Sequence, residues 1–171
     1  MPYVPPLENP YPAPGWNVIG DFVFVSDLRL LRLATPGTIN LPREAQYILA
    51  QDYTVSFTLD GETRHLTVPA GTLTDLASVP RVARGYIGRV GPHLEAAIVH
   101  DFLYRAWRDL PDMEPTSDMQ LFADTVMLAG MRAAGMEIKA DVIYRSLRWF
   151  GKAAFFGEGI APRYVNLNDI R

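Results

Sequence analysis

Residues 53–68 read YTVSFTLDGETRHLTV and contain two runs in which apolar and polar side chains alternate. Alternation with a period of two is typical of a β-strand that buries one face. The dipeptide Asp60-Gly61 separates the runs and is a strong signal for a two-residue hairpin turn. The stretch therefore predicts an antiparallel hairpin in which Leu59 pairs with Glu62.

The pattern around this hairpin places strands first and helices after them. Trp16 to Pro69 predicts a β region, and Pro69 to Pro92 has no clear period and predicts a long ordered connection. Apolar residues at helical spacing predict three helices, at His93 to Arg108, Ser117 to Gly135 and Glu137 to Phe156. This order indicates an α+β domain in which about three helices pack on an antiparallel sheet.

The length and the N-terminal composition divide the chain into an arm and one domain. Residues 1–15 are rich in proline and are expected to run extended. The aromatic side chains of Tyr3 and Tyr11 suit an arm that lies on a surface, either of its own domain or of a neighbouring subunit. The chain has 171 residues, so residues 16–171 are expected to form a single α+β domain around one core.

The composition excludes several classes of chemistry. The chain has no cysteine, which excludes disulfides, a thiolate nucleophile and Cys-ligated zinc. Its net charge of -3 lacks the basic excess typical of nucleic-acid binding, so no nucleic-acid partner is expected. We also find no signal-peptide pattern and no apolar run near the ~20 residues that a transmembrane segment needs.

Two ionisable residues lie in the middle of an otherwise apolar helix. The segment around His100 and Asp101 is apolar on nearly every side, which is typical of a buried helix. Buried charges need partners, and Arg105 lies four residues after Asp101, at the spacing of a salt bridge. His100 and Asp101 therefore belong either to a structural network of satisfied hydrogen bonds or to a functional site. If they form a functional site, Tyr104 and Arg105 are further candidate residues.

The next helix offers a carboxylate to His100. Leu121, Asp124, Leu128 and Met131 share one helical face, which places Asp124 within an apolar stripe. A carboxylate bonded to one imidazole nitrogen fixes the tautomer and makes the other nitrogen more basic, as a general base requires. We therefore predict a hydrogen bond of at most about 3.2 Å between His100 and Asp124, the two catalytic candidates.

Other polar residues have structural explanations beside the functional ones. Asp75, Ser78 and Arg81 place an acid, a hydroxyl and a guanidinium close together in the long connection, so they are candidate site residues. The alternative is a turn that bonds to its own backbone. Asp118 falls in the first turn of the second predicted helix, where a carboxylate interacts with the helix dipole.

Three segments resemble one known family: VPAGTLTDLASVPR (68–81), AAIVHDFLYRAW (96–107) and ADTVMLAGMRAAGM (123–136). They are similar to the domain-of-unknown-function 1353 family of bacteriophages and prophages, over about Val68 to Phe156. The resemblance implies no established reaction. It does imply a phage-encoded protein with an envelope, lysis or virion role, located in the virion or the host cytoplasm.

Residues 100–104, HDFLY, also resemble the His-Asp-x-x-Tyr helix of phospholipases A2. In those enzymes the His activates water, the adjacent Asp binds calcium, and an Asp on the next helix orients the His. The similarity implies that His100 is the base, Asp101 the calcium ligand and Asp124 the orienting acid, with Gly85 to Gly91 near the calcium loop. This chain departs from that family in its lack of disulfides, its glycine spacing and its β-rich first half.

Two functions from different classes follow from these observations. The first is a metal-assisted hydrolase, with calcium as the candidate cofactor, that acts on an ester or amide of the bacterial envelope. The second is a non-enzymatic virion component of a tail, baseplate or head. In that case the His/Asp cluster is structural, and the N-terminal arm docks on a neighbouring phage protein.

Overall fold

The computed structural model describes residues 3–32, 47–74, 93–157 and 163–170, and it has the predicted α+β class. The strands are β1 (Ile19–Phe24), β2 (Leu30–Arg32), β3 (Tyr47–Leu49), β4 (Tyr53–Leu59), β5 (Glu62–Val68) and β6 (Leu73–Thr74). The helices are α1 (Leu94–Leu103), α2 (Ser117–Ala133), α3 (Glu137–Phe150) and α4 (Lys152–Phe156). Short 3₁₀ turns lie at Ala106–Asp109 and Leu167–Asp169.

The hairpin of β4 and β5 forms with the predicted register. Leu59 pairs with Glu62, and the pairing continues to the other end of both strands. Asp60 and Gly61 have φ angles of 51° and 88°, and a two-residue type I′ turn requires positive φ at both positions. Alternate side chains of β4 are buried because one face of the hairpin packs into the main core.

The described strands form two antiparallel sheets of three strands, in the orders β1-β4-β5 and β2-β3-β6. Strand β6 corrects the prediction of one long connection from Pro69 to Pro92. It pairs with β3, and Thr72 beside it forms a bridge with Tyr164 near the C-terminus. A two-residue strand is too short to show a period, so only this long-range pairing defines it. Residues 75–92 lie outside the described ranges.

Close contacts join α2 to both β1 and α1. Phe122 of α2 lies 6.0 Å from Phe57 of β4, between ring centroids. A Cβ atom placed on Gly130 of α2 would lie 3.2 Å from Cζ of Phe22 and 2.9 Å from Cβ of Ala96. The glycine therefore permits the close approach that brings α1 and α2, the two helices of the predicted site, against each other.

The N-terminal arm lies on its own domain. Leu7 and Trp16 pack against the main core, and Tyr11 is buried in it. The hydroxyl of Tyr11 donates a hydrogen bond to the carbonyl of Leu103 and accepts one from the backbone N–H of Trp107. In a continuous α-helix, that N–H would bond to that carbonyl directly. The tyrosine hydroxyl is thus inserted into the helical hydrogen-bond ladder.

This insertion corrects the predicted first helix. The helix α1 ends at Leu103 instead of Arg108, and the chain continues as the 3₁₀ turn Ala106–Asp109. A side chain inserted into the ladder is a recognised cause of helix interruption. The sequence pattern around Trp107 stays helical, so only a contact from the distant arm accounts for the end.

Helix α2 begins at Ser117 as predicted but ends at Ala133 instead of Gly135. The cap of α2 is Thr116, whose hydroxyl accepts from the backbone of Met119 at 3.2 Å. The third predicted helix is divided at Gly151 into α3 and α4. Within the described ranges, none of the helices is long and apolar enough to span a membrane.

Candidate functional site

His100 of α1 and Asp124 of α2 form the contact that the sequence predicts. The Nε2 atom of His100 lies 3.0 Å from Oδ1 of Asp124, and both side chains are almost completely buried. The apolar neighbours of each residue bury its face of the helix, which brings the two side chains together. The geometric prediction is confirmed, whereas the catalytic roles of the two residues stay predictions.

Asp124 accepts two further hydrogen bonds. The hydroxyl of Tyr104 donates to Oδ1 at 2.6 Å, and Nη1 of Arg148 donates to Oδ2 at 2.8 Å. Tyr104 lies one turn after His100 on α1, and Arg148 comes from α3. We call His100, Tyr104, Asp124 and Arg148 the Asp124 cluster. It joins three helices through one buried carboxylate.

Two residues of the site, Arg148 and Gln120, were not predicted from the sequence. Arg148 lies at the border of the buried face of α3, beside Leu147, and many solvated arginines share that kind of position. Gln120 lies four residues before Asp124 on α2 and is buried, and its Nε2 atom and the hydroxyl of Tyr104 both lie beside Gly151. Its position one turn from an inward-facing carboxylate was the available signal.

The hydrogen bonds assign the proton on His100. Both oxygens of Asp124 accept from other donors, so the carboxylate also acts as an acceptor toward the imidazole. In the neutral imidazole the proton therefore lies on Nε2, and the lone pair lies on Nδ1. Nδ1 is buried and has no hydrogen-bond partner among the described residues. An unsatisfied buried acceptor is costly, so among the described residues Nδ1 is the open hydrogen-bonding position of His100.

Tyr104 is held as a hydrogen-bond donor. Burial, followed by the charge and the hydrogen bond of Asp124, raises the pKa of the Tyr104 phenol well above its ordinary value. Its ring centroid lies 4.0 Å from that of His100. A Cβ atom on Gly151 would lie 2.5 Å from the hydroxyl of Tyr104 and from the carbonyl oxygen of Leu147. The glycine between α3 and α4 thus leaves the space that the phenol occupies.

Asp101 and Arg105 line a different part of the molecule. They contribute to a pocket between α1, β6 and the C-terminal segment that includes Tyr164. The predicted salt bridge between Asp101 and Arg105 is not formed. Arg105 follows the end of α1 and has a φ of -123°, so the helical spacing that would align the two side chains no longer applies.

The described residues around Asp101 do not fit a calcium site. Calcium takes six to eight oxygen ligands in most proteins. Over the described ranges, no group of three or more His, Cys, Asp or Glu side chains converges in a way that could hold a metal ion. The pocket at Asp101 is also lined by Arg105 and Arg163, whose positive charges disfavour a cation. The role of Asp101 as a ligand stays a prediction, and Gly85 to Gly91 lie outside the described residues.

The remaining candidates do not join the cluster in the described structure. Asp75, Ser78 and Arg81 lie outside the described residues. Asp118 is exposed in the first turn of α2, as the structural explanation predicts. The described site is therefore the Asp124 cluster together with Gln120.

Comparison with known proteins gives one result. The profile of one family matches residues 49–147, which is more than half of the chain and includes His100, Tyr104 and Asp124. Searches of curated proteins and of solved structures find no match. The chain therefore belongs to the DUF1353 family, whose members are described as proteins of unknown function.

Proposed function

We propose that the chain is a hydrolase in which Nδ1 of His100 acts as the general base on an ester or amide of the bacterial envelope. One observation carries this proposal. Nε2 of His100 is bonded to Asp124, whereas Nδ1 has no hydrogen-bond partner among the described residues. A purely structural histidine would be expected to have both ring nitrogens satisfied. The similarity of residues 100–104 to the phospholipase A2 helix supports the same assignment.

In this reaction Nδ1 accepts one proton from a water molecule while the water oxygen bonds to the substrate carbonyl carbon. The imidazolium that forms lies against Asp124, whose negative charge stabilises it. The proton then passes from Nδ1 to the leaving alkoxide or amine as the bond to the carbonyl carbon breaks. One water is consumed, an acid and an alcohol or amine are released, and His100 returns to its starting state.

Tyr104 and Arg148 are positioning residues in this proposal. Their hydrogen bonds hold both oxygens of Asp124, which keeps the carboxylate in the plane and at the distance that Nε2 requires. We further propose, from the family resemblance, that the protein is phage-encoded and acts from the virion or within the host cytoplasm.

The test is hydrolysis of phospholipid vesicles and of peptidoglycan fragments by the full chain. His100→Asn should lower the rate by about 100-fold or more, because the water loses its proton acceptor. Its melting temperature should fall little, since Asn can still donate to Asp124. His65→Asn, at an exposed position of β5, is the matched control and should keep full activity. No turnover of either substrate by the native chain, or full activity in His100→Asn, would contradict the proposal.

The burial of the Asp124 cluster favours a second candidate, a non-enzymatic virion component. His100 and Asp124 are 2% and 0% exposed, which suits a network that holds three helices together. In that case His100→Asn should clearly lower the melting temperature, and no substrate should be hydrolysed. Tyr3→Ser/Val4→Ser should then impair assembly with a neighbouring phage protein, because both side chains are exposed in the arm.

A further inference from the structure

Helix α3 exposes a ridge of large apolar side chains to solvent. Ile138 is 86% exposed, Val142 53% and Trp149 81%, and Phe150 beside them is 66% exposed. The first three occur at i, i+4 and i+11, so they lie along one line on the helix surface, about 16 Å long. We call these four residues the α3 ridge.

Ile138, Val142 and Trp149 of the α3 ridge lie opposite the face by which the helix packs on the protein. Ala140, Ile143 and Leu147 are buried against α1 and α2. A helix that is apolar on both sides is typical of one that is covered on both sides. Scattered exposed apolar residues need no explanation, but three on one side of a helix, with a fourth at its end, indicate an interaction surface.

The charges around the α3 ridge are mainly positive. Lys139, Arg145 and Lys152 are exposed on this helix or immediately after it, and Glu137 is exposed in its first turn. The nearby carboxylate of Asp141 is already paired with Arg132 at 2.7 Å. The sequence from residue 142 to residue 157 contains no acidic residue, although the whole chain has a net charge of -3. The surface that covers the ridge should therefore be both apolar and anionic.

We propose that the α3 ridge binds the surface of an anionic lipid bilayer. Tryptophan and basic side chains beside an apolar stripe are typical of helices that lie in the membrane interface. The ridge offers only four side chains, far fewer than the roughly 20–30 residues a side of a stable protein interface. A deformable bilayer accepts such a ridge, and anionic headgroups attract its cations. This proposal does not depend on the proposed hydrolysis.

The test is flotation of the full chain with vesicles of phosphatidylglycerol and phosphatidylethanolamine, compared with vesicles of phosphatidylcholine. The native chain should float with the anionic vesicles, and Trp149 fluorescence should shift to shorter wavelength. The double variant Ile138→Ser/Trp149→Ser should bind about tenfold more weakly or worse. Arg145→Glu/Lys152→Glu should lose the preference for anionic vesicles.

Control variants distinguish binding through the α3 ridge from nonspecific hydrophobic binding and from the proposed catalysis. Val23→Ser/Val25→Ser changes two side chains on or beside β1 that are each 53% exposed, and it should float like the native chain. His100→Asn should also float, because the α3 ridge is separate from the proposed base. Circular dichroism melting checks that each variant is folded.

Two results would overturn the proposal. One is a native chain that does not float with anionic vesicles, or that floats equally well after Ile138→Ser/Trp149→Ser. The other is a native dimer in solution that this double variant converts to a monomer, because a second copy would then be the occupant of the α3 ridge.

Discussion

Arg148 and Asp124 form an ion pair that runs from the surface of α3 to a completely buried carboxylate, with Nη1 and Oδ2 2.8 Å apart. The side chain of Arg148 is 31% exposed, whereas that of Asp124 is 0% exposed. The guanidinium therefore keeps part of its hydration while it compensates a buried negative charge. This arrangement lowers the desolvation cost that a fully buried pair would carry.

We expect Arg148→Met to lower the free energy of unfolding by about 2–4 kcal/mol, because it leaves Oδ2 of Asp124 buried without its partner. Arg145→Met removes an exposed guanidinium from the same helix and should change stability by no more than about 0.5 kcal/mol. Urea denaturation of both variants provides the measurement. If both variants lower the free energy of unfolding equally, the ion pair with the buried Asp124 contributes nothing to stability.

Gly151→Ala should destabilise the fold by about 1–3 kcal/mol, although the φ of -74° at this position suits alanine. The new Cβ atom would overlap the hydroxyl of Tyr104. In a Tyr104→Phe background that hydroxyl is absent, so the same substitution should cost less. A double-mutant cycle measured by thermal melting gives the coupling between the two positions, and strict additivity would contradict the contact.

Tyr11→Phe should lower stability by about 1–3 kcal/mol, because the backbone groups of Leu103 and Trp107 lose the hydroxyl that satisfies both. Tyr3→Phe is the matched control, since Tyr3 is 41% exposed in the same arm. Hydrogen exchange should show faster opening at the end of α1 in the Tyr11 variant alone. Similar exchange in both variants would argue against the insertion of Tyr11 into the helix ladder.

Stability should fall at alkaline pH. Burial raises the pKa of the phenols of Tyr11, Tyr53, Tyr104 and Tyr164 above the ordinary value of about 10. Above about pH 10 the unfolded chain releases these protons while the folded chain keeps them, so unfolding becomes easier as pH rises. Below that pH these four groups are protonated in both states and have no effect.

Urea denaturation between pH 8 and about pH 11, followed in parallel by phenolate absorbance, measures this alkaline loss. The four buried phenols should ionise together with unfolding. Constant stability across the range, or complete ionisation of all tyrosines in the folded chain, would contradict the role of burial.

The features of the fold that depend on residues close together in the sequence could be predicted from local sequence patterns. The register at Asp60-Gly61 follows from a turn of two residues, and the inward direction of Asp124 follows from its own helical stripe. The contact between His100 and Asp124 was predictable because each residue interrupts an apolar face and needs a partner.

The remaining features depend on residues that are distant in sequence. The end of α1 is set by Tyr11, and no pattern within the helix indicates it. Strand β6 exists only because β3 lies beside it. Arg148 lies at the border between the buried and the exposed face of α3. At such a position, neither its charge nor the helical spacing of apolar residues shows whether its ion pair is buried or solvated.

The insertion of Tyr11 into α1 also sets an order of events during protein synthesis. The two hydrogen-bonded residues Tyr11 and Leu103 are 92 positions apart. At ~5–20 residues per second, a ribosome needs roughly 5–20 s to travel between them. Throughout that interval the arm has no helix end to occupy, so the hydroxyl of Tyr11 lacks both of its native backbone partners. The part of the arm that is translated early is thus among the last parts to reach its native position.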